Sequence, residues 1–338
     1  MKKARIGAAA VGLAAAAFLL TGCLPSAQLP AESAAADAEE NLLTVGFSQL
    51  GAESLWRRAN TASIQNALTR ENGFYLHYSN ARQQQNNQIK AIRSFISQQV
   101  DYIVFTPVKE EGWKTVLREA REAEIPVIIL DRMADYADAG DYTTFIGEDM
   151  YEEGEKAAQW LTEYLEREGR SQEEINIVVL QGTKGSTSQL GRTIGFDRLA
   201  EHYKNWHILS QVDADFTKAK GKEVMKEFLK RYPELNVVIC QNDDMMFGAL
   251  EAMQEAGIRT GEEGDVILIS FDGTKQALQL LQSGELNVDI ECNPESGELV
   301  VEILKKLSRG ESVEKCYYLS ETVFTPENVD LYIDSRSY

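Results

Sequence analysis

The sequence predicts an α/β protein made of two doubly wound parallel-sheet lobes, and three observations predict it. Short β-branched runs alternate with longer amphipathic stretches along the chain. Most of these runs are continuously apolar, as strands buried on both faces of a parallel sheet are. There are about ten of them, more than one open sheet holds comfortably.

Taken in order, the runs are 43–48, 74–78, 102–106, 127–131 and 144–147, then 175–181, 207–212, 237–241, 266–271 and 288–291. Between them lie helical faces with apolar residues three and four apart. Ile89, Ile92, Phe95 and Ile96 form one such face; Trp113, Val116, Leu117 and Ala120 form another. Ala157, Ala158, Leu161 and Leu165 follow the same spacing, as do Met246, Ala249, Leu250 and Met253. Gly73 and Gly257 mark ends of helical segments, and Pro126 opens a strand. Such alternation builds right-handed βαβ units, and in their sheets ligands bind beyond the carboxyl ends of the strands.

The strand ends therefore hold the candidate site. The run 127–130 closes on Asp131-Arg132, an acceptor beside a forked donor, which suits a polyhydroxylated ligand. The plainer reading is a capping Asp next to a surface Arg. The run 237–240 leads into Gln241-Asn242-Asp243-Asp244. Asn242 both donates and accepts, as a hydroxyl requires, or it is a turn residue; Asp243 or Asp244 is expected to cap the next helix. The run 267–271 closes on Asp272-Gly273, a second hydroxyl acceptor or an Asp-Gly turn. Trp56 and Arg57 lie in the first turn of the helix after the first strand, and the indole face complements a sugar ring unless it belongs to the core. Arg192 can turn into a cleft from its helix, and Phe216 can form an aromatic wall.

Catalysis has little support. His77, His202 and His207 read as surface or half-buried residues, and no HExxH, nucleophile elbow, CxxC or EF-hand pattern occurs. The stretch 182–187 lacks the Gly-Lys-Ser/Thr of a phosphate loop. No catalytic residue, metal set or cofactor is assigned. Cys240 reads as a core filler, while Cys292 and Cys316 could pair in an oxidising compartment.

The amino terminus carries Lys2, Lys3 and Arg5 before an apolar run over 6–20, then Leu20-Thr21-Gly22-Cys23. This resembles a bacterial signal peptide (1–23) with a lipobox and a lipidated Cys23; an ordinary signal peptide cut elsewhere, or an uncleaved anchor, is the alternative. Residues 24–41 are rich in Ala, Ser, Pro and acid and read as a flexible tether. The net charge is −19, and the leader contributes three positive charges and no negative one, so the remainder carries −22. That argues against nucleic acid, which needs clustered cations.

Three fragments, 126–132 (PVIILDR), 241–245 (QNDDM) and 271–274 (FDGT), together with 45–49, 53–57, 87–95 and 215–225, resemble the ribose/galactose-type periplasmic binding proteins of sugar ABC importers, and within them the galactofuranose binders. The resemblance runs from Leu43 to the carboxyl terminus. It implies a periplasmic binding protein type I fold with a three-strand hinge near 145–148, 291–293 and 322–324. One lobe is expected over 42–146 plus 293–321 and the other over 147–292 plus 322–338. Trp56, Arg57, Asp131 and Arg132 then face Arg192, Phe216, Asn242 and Asp272 across the cleft. Arg57 stands where ribose binders carry a second aromatic, which favours a larger, more hydroxylated furanose. Near Cys292-Asn293-Pro294 the glutamine of ribose binders is missing.

The function implied is an extracytoplasmic lipoprotein, held at the bacterial cell membrane by its lipid alone. It captures a monosaccharide by hinge closure and delivers it to an ABC transporter permease, as a monomer and not as an enzyme. The repressor cousins of the family carry a DNA-binding helix-turn-helix where this chain has its leader, so a DNA role is not expected. Two rivals share the site: a sensor presenting sugar to a receptor kinase or chemoreceptor, and a sugar-cleaving enzyme using Asp131 and Asp272 as paired carboxylates.

Overall fold

The computed structural model describes residues 42–136 and 138–338. The expected leader (1–23), its lipidated Cys23 and the tether (24–41) lie outside the described residues. Two six-stranded sheets follow one pattern. The first orders β11-β5-β4-β3-β1-β2, from strands β1 (Leu43–Gln49), β2 (Phe74–Asn80), β3 (Tyr102–Phe105), β4 (Val127–Leu130), β5 (Thr144–Gly147) and β11 (Cys316–Tyr318). The second orders β12-β10-β9-β8-β6-β7, from β6 (Ile175–Gln181), β7 (Trp206–Asp213), β8 (Val237–Cys240), β9 (Ile267–Asp272), β10 (Val288–Glu291) and β12 (Val323–Phe324). Every pairing is parallel except β10 with β12.

Both faces of each sheet are covered by apolar clusters, which is why the strands read as unbroken apolar runs. In the first sheet Ile103, Phe105, Val127 and Ile129 face one cluster, while Val45, Phe47, Val104, Ile128 and Leu130 face the other. The two short strands β11 and β12 were not among the predicted runs; at three and two residues they carry no periodic signal.

The chain crosses between the sheets three times. It leaves β5 at Gly147 for a helix α4 (Met150–Arg167) of the second lobe, and returns after β10 to a helix α9 (Gly297–Ser308) of the first. It crosses again between β11 and β12. Two of these differ in detail from expectation: Phe145–Gly147 lies within β5, and Val323–Phe324 is itself the edge strand of the second sheet. Helix α9 packs on α1 (Leu55–Ala67), where Gly297 N–H donates to Ser63 Oγ at 3.0 Å.

The cysteines among the described residues, Cys240, Cys292 and Cys316, are free thiols, so Cys292 and Cys316 are not paired. No helix among the described residues is long and apolar enough to cross a membrane.

Candidate functional site

In each sheet the strand order reverses direction beside one strand, at β1/β3 and at β6/β8, the position where such sheets leave a crevice. The loops there end on helix caps, which explains their small polar residues. Ser54 Oγ accepts from Arg57 N, Ser186 from Gln189 N and Asn242 from Met245 N. Asn242, not Asp243 or Asp244, thus caps the helix α7 (Asp243–Glu255). Asp243 instead accepts from Ser270 Oγ, Thr274 N and Thr274 Oγ1, tying the start of α7 to β9 and the turn after it. Asp244 accepts from Leu55 N at 2.8 Å, reaching across to the first lobe.

All eight residues expected at the site line one cavity: Trp56, Arg57, Asp131 and Arg132 from the first lobe, with Arg192, Phe216, Asn242 and Asp272 from the second. Glu53, Ser54, Ser188 and Cys292 complete it. Three of these residues, Asp131 (φ 58°), Phe216 (φ 57°) and Asp272 (φ 115°), adopt left-handed backbone that non-glycine residues avoid. Such strain costs about 1–3 kcal/mol per residue and gathers at binding sites.

On the first lobe, Arg57 is gripped by two acids. Its Nη2 donates to Asp131 Oδ2 at 2.6 Å and its Nε to Glu53 Oε1 at 3.2 Å. Burial pulls the guanidinium pKa down, but Asp131 and Glu53 together outweigh it and leave it raised. The same guanidinium lies 4.6 Å from the Trp56 ring centre, covering one face of the indole. The indole N–H donates to the Cys292 carbonyl at 2.5 Å, so Trp56 also ties the first helix to the crossover after β10. Arg132 is bound far more loosely. Its Nη1 reaches the Val108 carbonyl at 3.4 Å, its Nε is buried without a partner, and Asp131 stands 3.9 Å away. Burial first, then repulsion by Arg57, lowers its pKa to about 10. It stacks 5.0 Å from the Phe216 ring centre on the opposite lobe.

On the second lobe, Arg192 projects from α5 (Thr187–Ala200) and is held from behind by Glu153 and by the Gln241 carbonyl. Its Nη2 stands 3.7 Å from Asp272 Oδ1. The grip on Glu153 depends on close helix packing. Gly191 and Gly195 on α5 meet α4 at Met150, Tyr151 and Gly154, where an added Cβ would strike backbone. Burial lowers the Arg192 pKa, and Glu153, together with Cys292 and Asp272, more than restores it. Asp272 lacks such compensation: burial pushes its carboxyl well above the usual carboxylate range, and Arg192 offsets this only in part.

The lobes are shut on one another. Besides Leu55 N to Asp244, Glu110 N donates to Gly185 O at 3.1 Å and Met133 N to Thr187 Oγ1 at 3.1 Å. The cavity holds about 20 Å³, room for a water molecule but not for a sugar ring. A wider vestibule of about 230 Å³ opens beside Arg132, lined by Gln83 and Val108 of the first lobe and Thr183 and Asp213 of the second. The lobes must part to admit a ligand of monosaccharide size.

Sequence reasoning missed Glu53, Ser188, Cys292, Glu153 and Gln241. Glu53 lies in a recognisable fragment, but only the fold brings it to Arg57. Glu153 sits inside a helix among four other acids (Glu152, Glu155, Glu163 and Glu166), and nothing in that spacing sets it apart.

Comparison with known proteins gives consistent neighbours. Residues 45–312 match the family described as periplasmic binding protein domain. The galactofuranose-binding protein YtfQ of Escherichia coli is 37% identical over 84% of this chain and 88% of its own. A Mycobacterium smegmatis protein solved with β-D-fucofuranose is 40% identical, with a TM-score of 0.83 over 88% of this chain and 95% of that one. The arabinose-transporter binding protein of Shewanella sp. ANA-3, solved with α- and β-L-arabinofuranose, is 37% identical, with a TM-score of 0.81 over 87% and 95%.

Proposed function

The chain belongs to the periplasmic binding protein family, and from that premise we propose that its cleft captures a monosaccharide in the furanose form and delivers it to an ABC importer. The observation that carries this reading is the convergence of four residues from each lobe on one buried cavity. Arg132 and Asp272 are the groups whose own lobes satisfy them least, one short of acceptors and the other short of a compensating charge. A sugar supplies what both lack, because each hydroxyl donates and accepts. Trp56 and Phe216 add flat apolar surface for the C–H faces of the ring.

Specificity follows from the cost of mismatch. An epimer that leaves one buried donor or acceptor unpaired loses about 1–3 kcal/mol, or roughly tenfold to a hundredfold in affinity. The relatives with furanose ligands support the ring form, and galactofuranose or a related hexose or pentose is the ligand class. Residues 42–146 plus 293–321 are taken to move against 147–292 plus 322–338 as the lobes open and close. The lipobox-like Leu20–Cys23 supports attachment to the membrane through a lipid on Cys23, with the folded part acting as a monomer.

A thermal-shift screen over pentoses and hexoses tests the capture reading. At least one of L-arabinose, D-galactose, D-fucose and D-ribose raises the melting temperature of the wild type, and the rise is absent in Arg132→Ala. No shift with any of them contradicts the reading.

A further inference from the structure

A chain of buried charges runs from the cleft to the hinge. Arg192, at the cavity wall, is bonded through Nε to Glu153. The other oxygen of Glu153, Oε1, is buried without a partner, and so is Glu321 Oε1. A carboxylate oxygen of each and Cys292 Sγ all lie within 4.8 Å of one another. Glu153 belongs to α4 in the second lobe, whereas Glu321 lies on the crossover between β11 and β12 and Cys292 on the crossover after β10. Three separately routed segments thus bring two acids and a thiol together at the pivot.

Two carboxylates this close, with side chains 0% and 3% exposed, cannot both carry a charge. Glu153 is already bonded to the Arg192 guanidinium, so the proton belongs on Glu321. The surroundings agree. Glu148 on the first crossover adds negative charge beside Glu321, against a half-buried Lys156. Lys156 stands 3.4 Å from Glu321 Oε2 and 3.1 Å from Glu152. Burial first, then Glu153, pushes the Glu321 carboxyl up to about 11.

We propose that Glu153 and Glu321 hold one proton between them in the closed hinge, so that capturing a ligand takes up a proton from solvent. Glu153 is then a positioning residue, aiming Arg192 at the cavity while its second oxygen accepts from the protonated Glu321. Opening the lobes hydrates the pair and releases the proton. This deepens the capture reading and rests on it.

The sign follows from linkage. Closure binds the proton more tightly, so affinity is greatest at low pH and Kd rises with pH, by up to about tenfold per unit where a full proton is taken up. Calorimetric titration with L-arabinose and D-galactose from pH 6 to 8.5, in paired buffers of different ionisation enthalpy, reads both the slope and the proton count. Wild type shows proton uptake and a rising Kd. Glu321→Gln, whose amide donates to Glu153 without titrating, gives a flat profile and no uptake. Glu153→Gln, which frees Arg192, weakens binding at every pH. A pH-independent wild-type Kd overturns the proposal while leaving capture intact. A slope that survives in Glu321→Gln also overturns it and points to Glu148 or Asp272, whose carboxyls burial also raises. A Kd that follows added divalent cation or chelator instead of pH overturns it in favour of a metal at the cluster. Absence of binding by both sugars counts against capture and this coupling together.

Discussion

The two halves of the cleft present the same residue types, an acid and an arginine, but anchor them in opposite ways. In the first lobe the acid is tied down: Asp131 accepts from Arg57, whose other side is held by Glu53, and Arg132 is left loosely bonded. In the second lobe the arginine is tied down: Arg192 is held by Glu153 and the Gln241 carbonyl, and Asp272 is left under-compensated. Each half therefore offers one fixed group and one unsatisfied group of opposite character. A ligand with both donors and acceptors completes the two at once.

The largest expected effect breaks the anchored side of the second lobe. Arg192→Ala leaves Glu153 and Asp272 as buried, unpaired acids, and breaking a buried pair costs about 3–5 kcal/mol. The melting temperature falls by about 10 °C and sugar binding is lost, both read by thermal unfolding with and without ligand. Arg132→Ala, on the unsatisfied side, separates the two properties. Binding weakens by more than about 100-fold, as for a desolvated charged contact, while unliganded stability stays within about 1 kcal/mol of wild type. A large loss of unliganded stability would mean that Arg132 is anchored after all.

The acids sharpen the contrast. A carboxyl whose folded-state pKa is raised binds its proton more tightly folded than unfolded, so it costs stability as pH climbs above the ordinary carboxylate range. Asp272→Asn therefore raises unliganded stability at pH 7–8 and makes it less dependent on pH. Asp131→Asn, which strips Arg57 of a partner, lowers it by about 1–3 kcal/mol. Equal effects of the two substitutions would erase the asymmetry. Smallest is Asn242→Ala, which loses the cap of α7 and costs about 1 kcal/mol of stability, whereas Asn242→Asp keeps the cap and loses affinity through the missing amide donor.

What was legible in the sequence follows the same division. Residues at the ends of buried strands, such as Asp131, Arg132, Asn242 and Asp272, stand out because an apolar run gives way to polar groups where parallel sheets bind ligands. The residues that anchor them do not. Glu153 supports Arg192 from another helix, and Cys292 offers a carbonyl to Trp56, contacts set by packing between distant segments. The cap falls on Asn242 and not on the expected Asp243 or Asp244, because three polar residues in a row, Asn242-Asp243-Asp244, are all good caps and only backbone direction chooses among them.

The claim that both lobes close around a furanose has a direct measurement: the ¹³C spectrum of galactose labelled at its anomeric carbon, bound to the wild-type protein. The account predicts that the bound signal is a furanose resonance, enriched over its share in free solution and absent with Arg132→Ala. A bound pyranose signal would contradict the ring form, and no bound signal from galactose, or from arabinose labelled in the same way, would contradict the capture of sugar itself.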